Sequence, residues 1–155
     1  MGRLISEDYA DGSFVMIVLA KGALFFAADL MREIKTPMQF EFVSAHSYQG
    51  KKSSGKVIIN ANIRTELRGR RILIVDEILD TGRTMSQVIK ILKKMCPAEI
   101  RTCVLLDKPA RRIEKITADY SGFEIPDEFV IGYGLDLDEY YRNLPDIMIA
   151  KKDRA

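Results

Sequence analysis

At 155 residues the chain is long enough for one domain with a substantial core and too short for two ordinary ones. Its 24 lysines and arginines against 22 aspartates and glutamates leave a formal charge of +2, so no global field recruits nucleic acid or an anionic membrane, and any partner is selected locally. The longest apolar run, FVMIVLA, stops at Lys21, well short of the roughly 20 residues a membrane helix needs.

The amino terminus MGRLISEDYADG lacks the apolar stretch and small-residue cleavage site of a secretory signal, and Cys96 and Cys103 have no CxxC spacing, so a reducing cytoplasm is expected. FVMIVL (14–19) is uninterrupted and predicts a buried strand, and LFFAADLMREI (24–34) is long enough for a helix. MQFEFVSAHSY partly alternates and KVIIN follows it across the polar QGKKSSG, which predicts two extended pieces joined by a mobile loop. RILIVD (71–76) is the next buried strand, after which Met85, Val88, Ile89 and Leu92 fall at helical spacing with Lys90, Lys93 and Lys94 off that stripe. RTCVLLD, EFVIGYG and DIMIAK are three further strand candidates, and the terminal KKDRA reads as a solvated tail. Buried strands alternating with helices predict a mostly parallel α/β sheet whose ligand site lies beyond the carboxyl ends of its strands.

That topology puts DEILDTGRT after a strand and before a helix, where a ligand would sit. DTGRT offers the Thr81 and Thr84 hydroxyls, a Gly82 that permits tight backbone geometry, and free N–H groups at a helix start, an arrangement that cradles a phosphate. There is no GxxxxGK[ST] and no GxGxxG, so neither a Walker loop nor a dinucleotide fingerprint is present. A single acid here would be read as a helix cap complementing the dipole. Three acids, Asp76, Glu77 and Asp80, repel one another and any phosphate, and so need hydroxyl donors, a metal or a proton beside them. A sugar phosphate meets both demands, with hydroxyls for the acids and a phosphate for the turn.

VDEILDTGRTM resembles the phosphoribosyl pyrophosphate signature of the type I phosphoribosyltransferases. VLAKGALFFAADL, SAHSYQGKKSSG and LLDKPARR followed by DYSGFEIPDEFVIGYGLDLDEYYRNLPDI are similar to the hypoxanthine-guanine branch, and together the motifs cover nearly the whole chain. The resemblance implies a Rossmann-like, mostly parallel twisted sheet flanked by helices, with a small hood and a flexible lid loop, in a single domain over residues 1–155 whose amino-terminal hood segment is short. It implies transfer of 5-phosphoribose from phosphoribosyl pyrophosphate to N9 of a 6-oxopurine, with Mg2+ as cofactor, a homo-oligomer (dimer or tetramer) as the assembly, and neither membrane nor nucleic acid as partner.

The same resemblance assigns roles to individual residues. Asp76 and Glu77 would hold the ribose hydroxyls, directly or through magnesium, in the reverse of the family's usual Glu-Asp order. Asp80 would face the purine imidazole edge as general base or acceptor, while Thr81, Gly82, Arg83 and Thr84 hold the 5-phosphate. Lys21, Gly22 and Arg142 would grip the pyrophosphate and Asp136 a second magnesium, with Ala20 standing where the family usually has leucine. Lys108 would donate to the 6-oxo group, Phe129 would stack on the base, Val130 would present backbone groups to its edge, and Ser47 and Tyr48 would stand at the start of the lid segment. Without the resemblance, Lys-Gly is an ordinary turn, Lys108 a snorkelling lysine, Phe129 a core residue, and Arg142 and Asp136 surface charges.

Three rival readings are an RNA- or nucleotide-binding regulator of the same fold, a transferase preferring xanthine, and a ligand-binding module without activity. The first needs a broad basic surface, for which only Arg64, Arg68, Arg70 and Arg71 cluster; the last would have lost Asp80 or Lys108, and both are present. His46, the only histidine, has no evident triad or ligand partner.

Overall fold

A computed structural model describes residues 1–47, 57–60 and 63–150. The elements in chain order are α1 (Gly2–Asp8), β1 (Phe14–Ala20), α2 (Leu24–Glu33), β2 (Met38–Ser47), β3 (Val57–Asn60), β4 (Arg71–Leu79), α3 (Arg83–Lys93), β5 (Glu99–Asp107), a 3₁₀ turn (Pro109–Arg111), β6 (Tyr120–Glu124), β7 (Val130–Ile131) and β8 (Met148–Ile149).

The main sheet has the order β3-β2-β1-β4-β5-β6. Five of its strands run parallel, with Phe14 beside Met38, Val15 beside Ile72, Arg71 beside Glu99 and Cys103 beside Tyr120, while β3 returns antiparallel along β2 with Ser44 opposite Asn60. The chain leaves β1 towards β2 and later re-enters on the other side through β4. Strand order thus reverses between β1 and β4, and the region beyond their carboxyl ends is where sheets of this kind place a ligand.

Both faces of the central strands are covered, which is why their sequences are continuously apolar. On one face Phe14, Met16, Val18, Leu73 and Val75 pack with Phe26, Ala27 and Leu30 of α2 and with Ile5 and Tyr9 at the amino terminus. On the other, Val15, Ile17, Leu19, Ile72 and Ile74 meet Met85, Val88 and Leu92 of α3. Leu73 is wholly buried, so Leu73→Ala should lower stability by about 2 to 5 kcal/mol through lost burial and a residual cavity, as measured by the urea midpoint.

The structure departs from the sequence expectations at several points. Strand β4 runs past Asp76 to Leu79, so two of the three acids stand on the strand itself and only Asp80 follows it. EFVIGYG and DIMIAK do not join the main sheet; they contribute β7 and β8, an antiparallel pair of their own with Val130 opposite Ile149. Gly132 and Gly134, at φ 90° and 99°, turn the chain away after β7, a geometry that side chains disfavour. Helix α1 is too short to show a periodic stripe, and edge strand β6 (YSGFE) is polar and mostly exposed, so neither carries the pattern that marks the buried strands.

Candidate active site

The carboxyl ends of β1 and β4 are drawn together by close approaches. After β1 the Ala20–Lys21 peptide is cis. A side chain at Gly22 would overlap the Glu77 carboxylate, and one at Gly134 would overlap the Gly22 carbonyl, so glycine at both places lets the end of β1, the acids of β4 and the segment after β7 meet.

Asp76 is only 8% exposed, and its carboxylate accepts the Glu77 backbone N–H at 3.0 Å. Burial, and after it the adjacent Glu77 charge, raises the Asp76 carboxyl well above the usual carboxylate range. Among the described residues neither acid has a cationic partner, and no three His, Cys, Asp or Glu side chains converge on one point. The pair is suited to a ligand that brings its own hydroxyls or a hydrated cation.

The turn that follows is braced from behind. Gly82 is the N-cap of α3 at φ 81° without a side-chain cap of its own; the Arg83 N–H makes a long bond to Thr81 Oγ1 (3.4 Å), and the N–H groups that follow it face the helix start, where an anion is favoured. The Thr81 carbonyl accepts N–H bonds from Ile113 (3.0 Å) and Glu114 (3.1 Å). Arg112 donates to the carbonyls of Asp80 (2.8 Å), Leu79 (2.9 Å) and Ile116 (2.6 Å) and pairs with Asp107. Arg83 and Thr84 are the first two residues of α3, so the whole of 81–84 lies along one turn and helix start. Arg112 sat unremarked within KPARR at the sequence level, because its role is to hold carbonyls that only the fold brings near.

Beside the turn, Lys108 is buried to 4% exposure. Its ammonium donates to the Glu128 carbonyl at 3.1 Å and lies 3.5 Å from Asp127 Oδ1 and 3.9 Å from Asp80 Oδ2. Asp127, which the sequence reading did not single out, also holds Arg111 Nε at 2.6 Å. The second carboxylate oxygen of Asp80, Oδ1, is buried without a hydrogen-bond partner. Phe129, directly after Glu128, is 46% exposed, and Val130 is half-buried in β7.

The remaining charged residues form a group of their own. Arg142 donates Nη1 to the Gly134 carbonyl (2.7 Å) and Nη2 to Glu139 (3.2 Å) and forms an ion pair with Asp136 (2.8 Å), while Lys21 Nζ meets Glu139 at 2.8 Å. Glu139 was likewise not foreseen. Its hydrogen bond from Lys21, and next the Arg142 charge, holds its carboxyl below the usual range. The structure therefore brings together Lys21, Gly22, Glu77 and the 134–142 segment on one side, and Asp80, Lys108 and the 127–130 segment on the other. Ser47 is the last residue of β2, and Tyr48 lies outside the described residues. Within the arginine cluster, Arg71 pairs with Asp11 at 2.7 Å and lies over the Tyr9 ring, Arg70 reaches Ser13 at 3.5 Å, and Arg64 and Arg68 are exposed.

Comparison with known proteins agrees with this geometry. Residues 2–138 match the family model described as phosphoribosyl transferase domain. The chain is 38% identical over 154 residues to the hypoxanthine-guanine phosphoribosyltransferase of Streptococcus pneumoniae, covering 99% of this chain and 86% of the relative. It is 41% identical over 150 residues to the hypoxanthine phosphoribosyltransferase of Escherichia coli, covering 95% and 84%. A crystal structure of a hypoxanthine phosphoribosyltransferase from Staphylococcus aureus superposes with a TM-score of 0.91 at 38% identity, over 97% of this chain and 82% of that one. The chain belongs to the phosphoribosyltransferase family, in its hypoxanthine-guanine branch.

Proposed function

We propose that the chain is a purine-salvage enzyme that transfers 5-phosphoribose from phosphoribosyl pyrophosphate to N9 of hypoxanthine or guanine, giving IMP or GMP and pyrophosphate. The observation that carries this reading is the pairing of Lys108 with Asp80. A buried ammonium and a carboxylate with one unpartnered oxygen stand 3.9 Å apart beside a turn built for phosphate. A donor and an acceptor side by side suit, in kind, the 6-oxo group and the neighbouring imidazole edge of one purine.

In this scheme the turn at 81–84 takes the 5-phosphate, and Asp76 and Glu77 accept from the ribose hydroxyls. Lys108 and Phe129 then hold the base with N9 facing the anomeric carbon. As the N9–C1 bond forms and the bond from C1 to pyrophosphate breaks, with its electron pair leaving on the pyrophosphate, the imidazole proton passes towards Asp80. Lys21 and Arg142 receive the leaving group. Magnesium would be held by the Asp76–Glu77 pair through the ribose hydroxyls and by Asp136, and when bound it would offset pyrophosphate charge. Two carboxylates or fewer at each place suit this ion, which keeps most of its waters and takes phosphate oxygens besides.

The homo-oligomer and the cytoplasmic setting remain part of this reading. The exposed Phe40 and Phe42 of β2, edge to face with ring centres 5.7 Å apart, are an apolar surface that assembly would cover. Among the described residues no helix is long and apolar enough to cross a membrane.

Incubation with magnesium, phosphoribosyl pyrophosphate and each purine or pyrimidine base should yield nucleotide from hypoxanthine or guanine and none from uracil or orotate. Excess chelator should stop turnover, because two cationic side chains cannot offset a pyrophosphate alone. Undiminished turnover in chelator would remove magnesium from the scheme, and absence of nucleotide from every purine would overturn the scheme itself.

A further inference from the structure

We infer that Glu139 is an internal occupant of the pyrophosphate position, holding Lys21 and Arg142 until the incoming anion displaces it, and so sets how tightly pyrophosphate is retained. The inference rests on the reading of Lys21 and Arg142 as the grip for the leaving group.

Lys21 and Glu139 are 118 residues apart in the chain, yet one carboxylate bridges both cations: Oε2 lies 2.8 Å from Lys21 Nζ and Oε1 3.2 Å from Arg142 Nη2. Two oxygens on one trigonal centre, each facing a different cation, present what two oxygens of a phosphoryl group would present in the same place. With the bridge in place, neither cation can offer those donors to another anion.

The bridge is also easily released. The Lys21 and Glu139 side chains are 61% and 60% exposed, so their pairing is of the weak, solvent-screened kind. Arg142 is differently placed, at 21% exposed and anchored to the Gly134 carbonyl and to Asp136, so it stays in position when Glu139 leaves. Its Nε is buried and without a partner, a donor still to be used. The backbone around Glu139 is in the left-handed region at Asp138 (φ 51°), Glu139 (69°) and Tyr141 (73°). Residues with side chains adopt that region only where surrounding contacts hold them, and here the Glu139 N–H on Asp136 Oδ2 (2.9 Å) and the paired Leu137 and Tyr140 backbones do so, which lets the Glu139 side chain leave while the backbone stays.

A carboxylate left beside a bound pyrophosphate would repel it, so occupancy by the two anions is mutually exclusive. Return of Glu139 to its cations then favours departure of the product.

The test is titration calorimetry of inorganic pyrophosphate, with magnesium, into the full chain and its variants. Glu139→Gln keeps the shape and removes the competing charge, and it should tighten pyrophosphate by roughly 3- to 10-fold. The gain should shrink in a Lys21→Ala background, where the bridge is already gone, and IMP, which lacks pyrophosphate, should bind both proteins alike. Unchanged or weaker pyrophosphate binding by Glu139→Gln, while Lys21→Ala weakens it, would show Glu139 to be a buttress of Arg142 and overturn the inference while sparing the site. If Lys21→Ala leaves pyrophosphate binding unchanged, the reading of the grip falls and takes the occupant with it. Both positions are exposed, so neither variant threatens the fold.

Discussion

Asp80→Asn should lower the rate of nucleotide formation by roughly 10²- to 10⁴-fold while leaving the fold and phosphate binding intact. The two halves of that expectation come from different atoms of one residue. The backbone of the turn is held by Arg112 through the Asp80 and Leu79 carbonyls and by the Ile113 and Glu114 N–H groups on Thr81, none of which involves the Asp80 side chain. The side chain has one oxygen near Lys108 and one buried with nothing to accept from, which is the free valence that a departing imidazole proton would fill. Asparagine keeps the size and loses the basicity. The check is a single-turnover measurement with hypoxanthine, so that product release cannot hide the chemical step, together with calorimetry of phosphoribosyl pyrophosphate. A single-turnover rate near that of the native chain would remove Asp80 from the proton transfer.

How much of this was legible beforehand follows from the range over which each feature is encoded. The strand FVMIVL and the helix carrying Met85, Val88 and Leu92 are visible because their burial is continuous or periodic along the chain, and both are found at their expected places. The turn from β4 into α3 is visible because Asp80, Thr81, Gly82 and Thr84 are neighbours in sequence as well as in space. Even so, its frame was hidden: Arg112 reaches the turn from about 30 residues away, and no local pattern distinguishes it from Arg111 beside it. Distance in sequence hides Glu139 in the same way, since its value as a contact depends on Lys21 at the far end of the chain. Asp127 was passed over for a related reason, because a single acid in EIPDEF reads as a solvated charge until β5 delivers Lys108 beside it. The strand candidates EFVIGYG and DIMIAK are apolar enough to suggest the main sheet, yet Gly132 and Gly134 redirect the chain and leave them only a small sheet of two. Local periodicity thus reports the scaffold, while the charged contacts that shape the site are properties of the closed topology.

Base choice should turn on Lys108, with hypoxanthine or guanine preferred over adenine by at least roughly 10- to 100-fold in kcat/KM. The ammonium is buried at 4% exposure and surrounded by oxygens, with the Glu128 carbonyl at 3.1 Å, Asp127 at 3.5 Å and Asp80 at 3.9 Å. Those oxygens aim the group without exhausting its three donors, since only the first contact is within hydrogen-bond reach. A 6-oxo group accepts the spare donor, whereas adenine brings an amino donor to the same place, so donor would face donor. Leaving one buried donor of that ammonium without an acceptor costs about 1 to 3 kcal/mol, which is the source of the preference. A single pyrimidine ring cannot both reach Lys108 and set its nitrogen at the ribose. Lys108→Ala should weaken use of 6-oxopurines and narrow the gap to adenine, because it removes the reader and the repulsive element together. Lys108→Met, which keeps the stem and drops the charge, separates a lost donor from a lost shape and should narrow the gap as far as alanine does. If the native chain uses adenine as well as hypoxanthine, or both variants keep the native preference, Lys108 does not read the base, and the Asp80–Lys108 pair loses its place as the reader of a 6-oxopurine.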